Sequence, residues 1–111
     1  MKNYVSLKNN LEFKRVYDKK RTYSDMFMVI YISDNPLGYS RLGISVSKKV
    51  GNSIIRHRIT RLIRESYRLN KERIKPGYDI VIVARKNLCG KGLFEVSESL
   101  MKLLSKHQLL L

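Results

Sequence analysis

A chain of 111 residues with 43% hydrophobic content fits one folded domain over residues 1–111 and excludes a disordered polycation. Its 23 Lys and Arg against 9 Asp and Glu give a formal net charge of +14, which calls for a polyanionic partner: nucleic acid first, an anionic membrane next, with a merely solvated basic surface as the plain alternative. A lone Cys89 excludes a disulfide framework or thiolate zinc site, and His57 and His107 lie too far apart for metal-ligand spacing.

Residues 1–8 are polar and basic and read as an arm, without the apolar run of a signal peptide. No stretch approaches the ~20 apolar residues of a membrane span, so a reducing, cytoplasmic location is expected. Asn9 with Glu12 forms a capping box, which predicts a helix over 10–19 carrying Phe13, Val16 and Tyr17 on one side. Phe13 and Tyr17 stand four apart and are neighbours on the helix surface. Two readings of the pair are open. Both rings are core, or they form a stacking platform for unpaired bases beside Lys14, Arg15, Lys19, Lys20 and Arg21.

A short strand near 21–24 precedes a buried strand at 27–33. In that strand Phe27, Val29 and Tyr31 share one face, and Met28, Ile30 and Ile32 the other. Turn formers fill 34–38, and 41–47 alternates with Leu42, Ile44 and Val46 inward. The runs at 27–33 and 41–47 together read as a hairpin with a longer loop.

A helix follows, capped by Asn52 or Ser53 and ending near Arg73, before Pro76 and Gly77. At roughly 100° per residue, Ile55, Ile59, Leu62, Ile63 and Leu69 fall in one arc. His57, Arg58, Arg61, Arg64 and Arg68 fall in another, and Arg56 and Tyr67 lie at the far border of the apolar one. A buried strand at 78–84, a loop at 85–92 and a last helix at 93–107 complete the chain, with Val96, Leu100, Leu103 and Leu104 on one stripe. The order is α-β-β-α-β-α with the extra short strand at 21–24. The fold class is therefore α+β, a sandwich of helices against a small mixed sheet.

Catalytic groups are scarce. Glu65 and Glu72 sit among arginines and suit ion pairs, while Glu95 and Glu98 suit the dipole at the start of the last helix. No acidic cluster suggests a metal site borne by the protein. By contrast, Arg58, Arg61, Arg64 and Arg68 repeat every three or four residues, with Lys48 and Lys49 extending the line, and planar donors in a line suit a phosphate backbone. A helix-turn-helix reader needs a helix just before this one, where strands stand, so DNA is disfavoured. The aromatic signature of an RNA-recognition motif is absent too.

The stretch SVSKKVGNSIIRHRITRLIRESYR resembles the arginine-rich signature of the bacterial ribonuclease P protein component family, and LKNNLEFKRVY upstream fits as well. Lys48, Lys49, Gly51 and Asn52 match its approach, and Arg56, Arg58, Arg61 and Arg64 its arginines. Ser53, His57 and Thr60 depart from the family's usual Ala, Asn and Lys; Thr60 removes one cation, and with it one expected phosphate contact. The resemblance implies a protein subunit that assists RNA-catalysed removal of the 5′ leader from precursor tRNA. Mg²⁺ is then held mainly by the catalytic RNA subunit and the protein supplies no catalytic residue. Contacts with the RNA subunit are expected from Lys48, Lys49, Asn52, Arg56, His57, Arg58, Arg61, Arg64 and Arg68. The leader is expected on Phe13, Tyr17 and Tyr31. The resemblance also implies a left-handed β-α-β crossover around the arginine helix, where general rules would draw a right-handed one. The competing expectation is a ribosomal or general RNA-binding module with no role in tRNA processing.

Overall fold

Ile80, Val81 and Ile82 are consecutive, and none has any exposed surface. A strand apolar on both faces needs a partner at each edge and cover above and below. The computed structural model, which describes residues 4–111, supplies both. In chain order the elements are β1 (Val5–Ser6), α1 (Asn10–Asp18), β2 (Thr22–Ser24), β3 (Met28–Asp34), β4 (Arg41–Ser45), α2 (Ser53–Asn70), β5 (Tyr78–Ala84) and α3 (Leu93–Lys106), with single 3-10 turns at Lys71–Arg73 and Lys86–Leu88. The sheet order is β1-β4-β5-β3-β2. The α+β class and the extra strand at 22–24 are as expected.

Two expectations about strand pairing change. The runs at 27–33 and 41–47 do not form a hairpin, because β5 lies between β3 and β4. It is antiparallel to β3, with Ile30 opposite Ile82, and parallel to β4, with Gly43 opposite Val81. The reason is the burial of β5 itself, which no edge position could provide. The arm ends sooner than expected: Val5 and Ser6 pair in parallel with Arg41 and Leu42, and Leu7 is buried. Residues 1–3 of that expected arm lie outside the described residues.

The faces of the sheet are covered unequally. On one, α2 and α3 enclose the main core, which includes Met28, Ile30, Ile32, Ile63, Ile82 and Leu100. On the other, α1 alone covers a smaller cluster of Leu7, Val16 and Val81 with Phe13, Tyr17 and Tyr31 at its margin. The buried seam of α2 runs through Ile59, Ile63, Ser66 and Tyr67. It is rotated from the expected arc, so that Tyr67 is inside while Ile55 and Leu69 are exposed. The rotation brings Ser66 against α3, where its hydroxyl meets that of Ser97 at 2.8 Å.

Polar side chains fasten both layers. Arg41 binds Asp79 in a fork, Nε to Oδ1 at 2.9 Å and Nη2 to Oδ2 at 2.7 Å, and its Nη1 reaches Glu12 Oε2 at 2.8 Å. Glu12 is the capping-box glutamate of α1, and its other oxygen accepts from the Lys8 and Asn9 N–H groups. Those two bonds, with Arg41 behind them, hold its carboxyl below the usual range. On the opposite layer Asp25 caps the start of β3 by accepting from the Phe27 and Met28 N–H groups, and takes the Ser99 hydroxyl of α3 at 2.6 Å.

His107, just past α3, is buried with its Nε2 2.8 Å from the Ile30 carbonyl, to which it donates, and its ring edge-on to Tyr23. Burial lowers its pKa from 6.5, the Ile30 bond opposes the shift, and Arg21 adds to it. Near pH 6.5 the unfolded chain therefore binds more protons than the folded one, so this contribution to stability is full above that pH and is lost as pH falls below it. Unfolding free energy measured by urea titration should decrease from pH 7.5 towards about pH 5.5. His107→Gln, which keeps a donor for Ile30, should flatten that slope; an unchanged slope would assign it to another group.

Candidate nucleic-acid interface

The basic helix begins at Asn52, whose Oδ1 accepts from the Ile55 N–H at 3.0 Å, and this decides between the two expected caps. One end of the Asn52 amide is thus committed to the helix, and only its NH₂ remains for a ligand. Lys48, Lys49, His57, Arg58, Arg61 and Arg64 are all exposed. Among the described residues no acid pairs with Lys48, Lys49, Arg58, Arg61 or Arg64. Arg56 and Arg68 differ from the rest. Arg56 is half-buried and its Nε donates to the Gly51 carbonyl at 3.2 Å. Arg68 forks onto Glu65 at 2.7 and 2.8 Å, as expected for an acid one turn away, which leaves its Nη1 donors and a partly neutralised charge for a phosphate. Thr60 turns its hydroxyl back to the Arg56 carbonyl at 2.8 Å, so its position adds no charge to the row.

The sheet edge beside this helix is open. β1 covers β4 only at Arg41 and Leu42, and the Leu7 N–H closes on the Leu42 carbonyl at 2.9 Å. Beyond that point a groove runs between α2 and α1. Its first part, about 190 Å³, is lined by Tyr4, Leu7, Phe13, Ile44, Thr60 and Arg64 among others. Its second, about 450 Å³, is lined by Asn10, Phe13, Lys14, Tyr17, Ile44 and Ser45. Phe13 and Ile44 belong to both parts, and Arg64 brings the cationic row to the groove wall.

The expected aromatic residues come together here. Phe13 and Tyr17 have ring centroids 6.4 Å apart, and Tyr31 meets Tyr17 edge-on at 4.8 Å. All three rings are partly buried against Leu7, Val16 and Val81. Each ring of Phe13 and Tyr17 packs a small core with one side and borders the groove with the other, so neither is wholly core. Burial raises the Tyr17 phenol above its ordinary value, offset in part by its hydrogen bond with Ser45. Ser45 and Gly43 carry no signal of their own in the sequence. Gly43 is nevertheless what admits the Phe13 ring, since a Cβ there would lie 2.7 Å from it and 3.0 Å from Leu7. Only the register of β4 against α1 reveals this.

Acidic chemistry is committed elsewhere, with Glu12 and Asp79 held by Arg41 and Asp25 in its cap. Among the described residues no three His, Cys, Asp or Glu side chains gather as metal ligands. The Cys89 thiol donates to the Val50 carbonyl at 3.0 Å.

A row of Arg58, Arg61 and Arg64 without acidic partners, beside an aromatic groove, has the form of a nucleic-acid-binding α+β protein. The family model described as Ribonuclease P matches residues 1–108. The ribonuclease P protein component of Lachnoclostridium phytofermentans is 51% identical over 105 residues, covering 95% of this chain and 90% of that one. That of Alkaliphilus oremlandii is 42% identical over 110 residues, covering 99% and 96%. Among solved structures, the Staphylococcus aureus RNase P protein superposes with a TM-score of 0.88 at 32% identity, over 98% of this chain and all of the other. The Thermotoga maritima protein does so with 0.83 at 31%, over 91% and 96%. The chain belongs to the ribonuclease P protein family, and is thus a subunit of an endoribonuclease holoenzyme of tRNA 5′ processing.

Gly43→Ala should push Phe13 outward and cost about 1–3 kcal/mol of stability, as overpacking does. Urea unfolding would measure it, and a variant as stable as the parent would show that the ring shifts freely.

Proposed function

We propose that this chain grips the catalytic RNA subunit along residues 48–68 and lays the 5′ leader of precursor tRNA in the groove lined by Phe13 and Tyr17, with Tyr31 packed against Tyr17. The carrying observation is the unpaired row of Arg58, Arg61 and Arg64, whose last member lines the groove that Phe13 also lines. Guanidiniums hold a folded RNA by its phosphates, and Lys48, Lys49, Asn52, His57, Arg56 and Arg68 flank them as further contacts. The aromatic groove suits single strands, because any base offers a face to stack. Family membership supports the same pair of RNA partners over DNA or a membrane.

In this reading Mg²⁺ is held by the RNA subunit and supplies the hydrolytic chemistry there. The protein's part is to bind and orient, and its most covered carboxylates, Glu12, Asp25 and Asp79, are engaged in structural ion pairs and caps. The site of action is the cytoplasm. Among the described residues no helix is long and apolar enough to cross a membrane.

Reconstitution with a bacterial ribonuclease P RNA at low Mg²⁺ tests the whole reading: added protein should accelerate cleavage of precursor tRNA, and unchanged cleavage would overturn it. Arg61→Ala with Arg64→Ala should weaken RNA-subunit binding and flatten its dependence on log salt by about 0.7 to 0.9 per lost phosphate contact. An unaltered slope would mean that neither side chain meets a phosphate. Phe13→Ala and Tyr17→Ala should each weaken binding of leader-bearing tRNA by roughly 1–3 kcal/mol while leaving mature tRNA unaffected. Normal leader affinity in the folded fraction would make both rings purely core.

A further inference from the structure

The groove does not end at Arg64. Tyr4, which lines its first part, also lines a third pocket of about 450 Å³ on the far side, together with Tyr39, Tyr67, Lys71, Ile74 and Pro76. We propose that this tyrosine pocket takes a further unpaired base of the precursor-tRNA leader, distal to those held at Phe13 and Tyr17. The proposal rests on the leader-binding reading of the groove and extends its footprint.

Three observations carry it. The first is continuity. Adjoining pockets share residues along the path from Tyr17 through Phe13 and Ile44 to Tyr4 and Tyr67, so one strand can occupy all of them. The second is an unused polar atom. Tyr67 is only 3% exposed, yet no donor or acceptor among the described residues bonds its hydroxyl, and no buried side-chain polar atom is sealed without a partner. The hydroxyl therefore opens onto the pocket that its residue lines. Burial, with Tyr4 beside it, pushes the phenol up to about 12, so it keeps its proton and can donate as well as accept. The third is the wall chemistry. Tyr4 stands edge-on to Tyr67 with ring centroids 5.5 Å apart, Tyr39 is half-exposed at the rim, and Ile74 is a buried apolar residue of the lining.

An aliphatic occupant would leave the Tyr67 hydroxyl unbonded, and one without a flat face would leave the rings of Tyr4 and Tyr39 without a stacking partner. A planar heterocycle with a hydrogen-bonding edge satisfies both surfaces. Its phosphates fall where the groove is cationic, with Arg64 lining the first part and Lys71 lining this pocket. The leader is the single strand that already lies in the same groove, whereas the RNA subunit is assigned to the outer face of α2.

The test is a leader-length series with the reconstituted holoenzyme, measuring affinity for precursor tRNAs whose leaders grow one nucleotide at a time. Wild type should gain affinity in an early increment and again in a later one. Tyr39→Ala should lower affinity for long leaders alone, by about 5- to 150-fold if one stack is lost. Tyr67→Phe, which removes only the hydroxyl, should do so by about 2- to 10-fold. Both should leave the early increment and the RNA-subunit affinity unchanged. A later increment that survives both substitutions, or equal losses for short and long leaders, would overturn the proposal while sparing the parent reading. Indifference of the wild type to any leader would overturn both.

Discussion

The burial of the centre of β5 is the constraint from which the rest of the architecture follows. A strand with Ile80, Val81 and Ile82 all inside can sit only at the centre of a sheet covered on both faces. Placing it between β3 and β4 makes the β4–β5 pair parallel, and a parallel pair needs a long crossover. That crossover is α2. The arginine helix is therefore tied at both ends to the two innermost parallel strands, and its seam of Ile59, Ile63 and Tyr67 is fixed in rotation. A ligand meets a row of guanidiniums on a rigid support.

α1 has a different status. It is only nine residues long, and Val16 is its one fully buried residue. A helix of that length is marginal by itself. It is held by the triad of Glu12, Arg41 and Asp79, of which the Asp79 side chain is 9% exposed. Leaving any one member without its partners would strand a largely covered charge, so the network is costly to break even though its net contribution to stability is modest. It fastens the N-terminal turn of α1 to β4 and β5 and so aligns one wall of the groove.

Much of this was legible from local pattern. The box of Asn9 and Glu12, the alternation in 41–47 and the spacing of Val96, Leu100, Leu103 and Leu104 each specify an element from neighbouring residues. Strand order was not legible, because the run at 41–47 carries no mark that its partner lies beyond an intervening helix. The rotation of α2 escaped for a related reason: Leu69 and Tyr67 are both apolar, and α3 decides which is inside. In the candidate interface, Arg61 and Arg64 stand out by spacing, whereas the spacing of Phe13 and Tyr17 makes them neighbours and leaves core and groove equally open. Gly43, Ser45 and the pocket around Tyr67 do not, since their meaning arises from segments distant in the chain.

The open edge of β4 has a consequence for the protein before it meets RNA. An uncovered strand edge beside partly buried aromatic rings invites pairing with another copy. Here that edge lies on a molecule of net charge +14, with Arg64 in the groove wall itself. Mutual repulsion opposes such pairing between free copies. A polyanion bound in the groove would cancel the repulsion and cover the edge in the same event, so electrostatic protection against self-association would be lost only where the edge is already occupied.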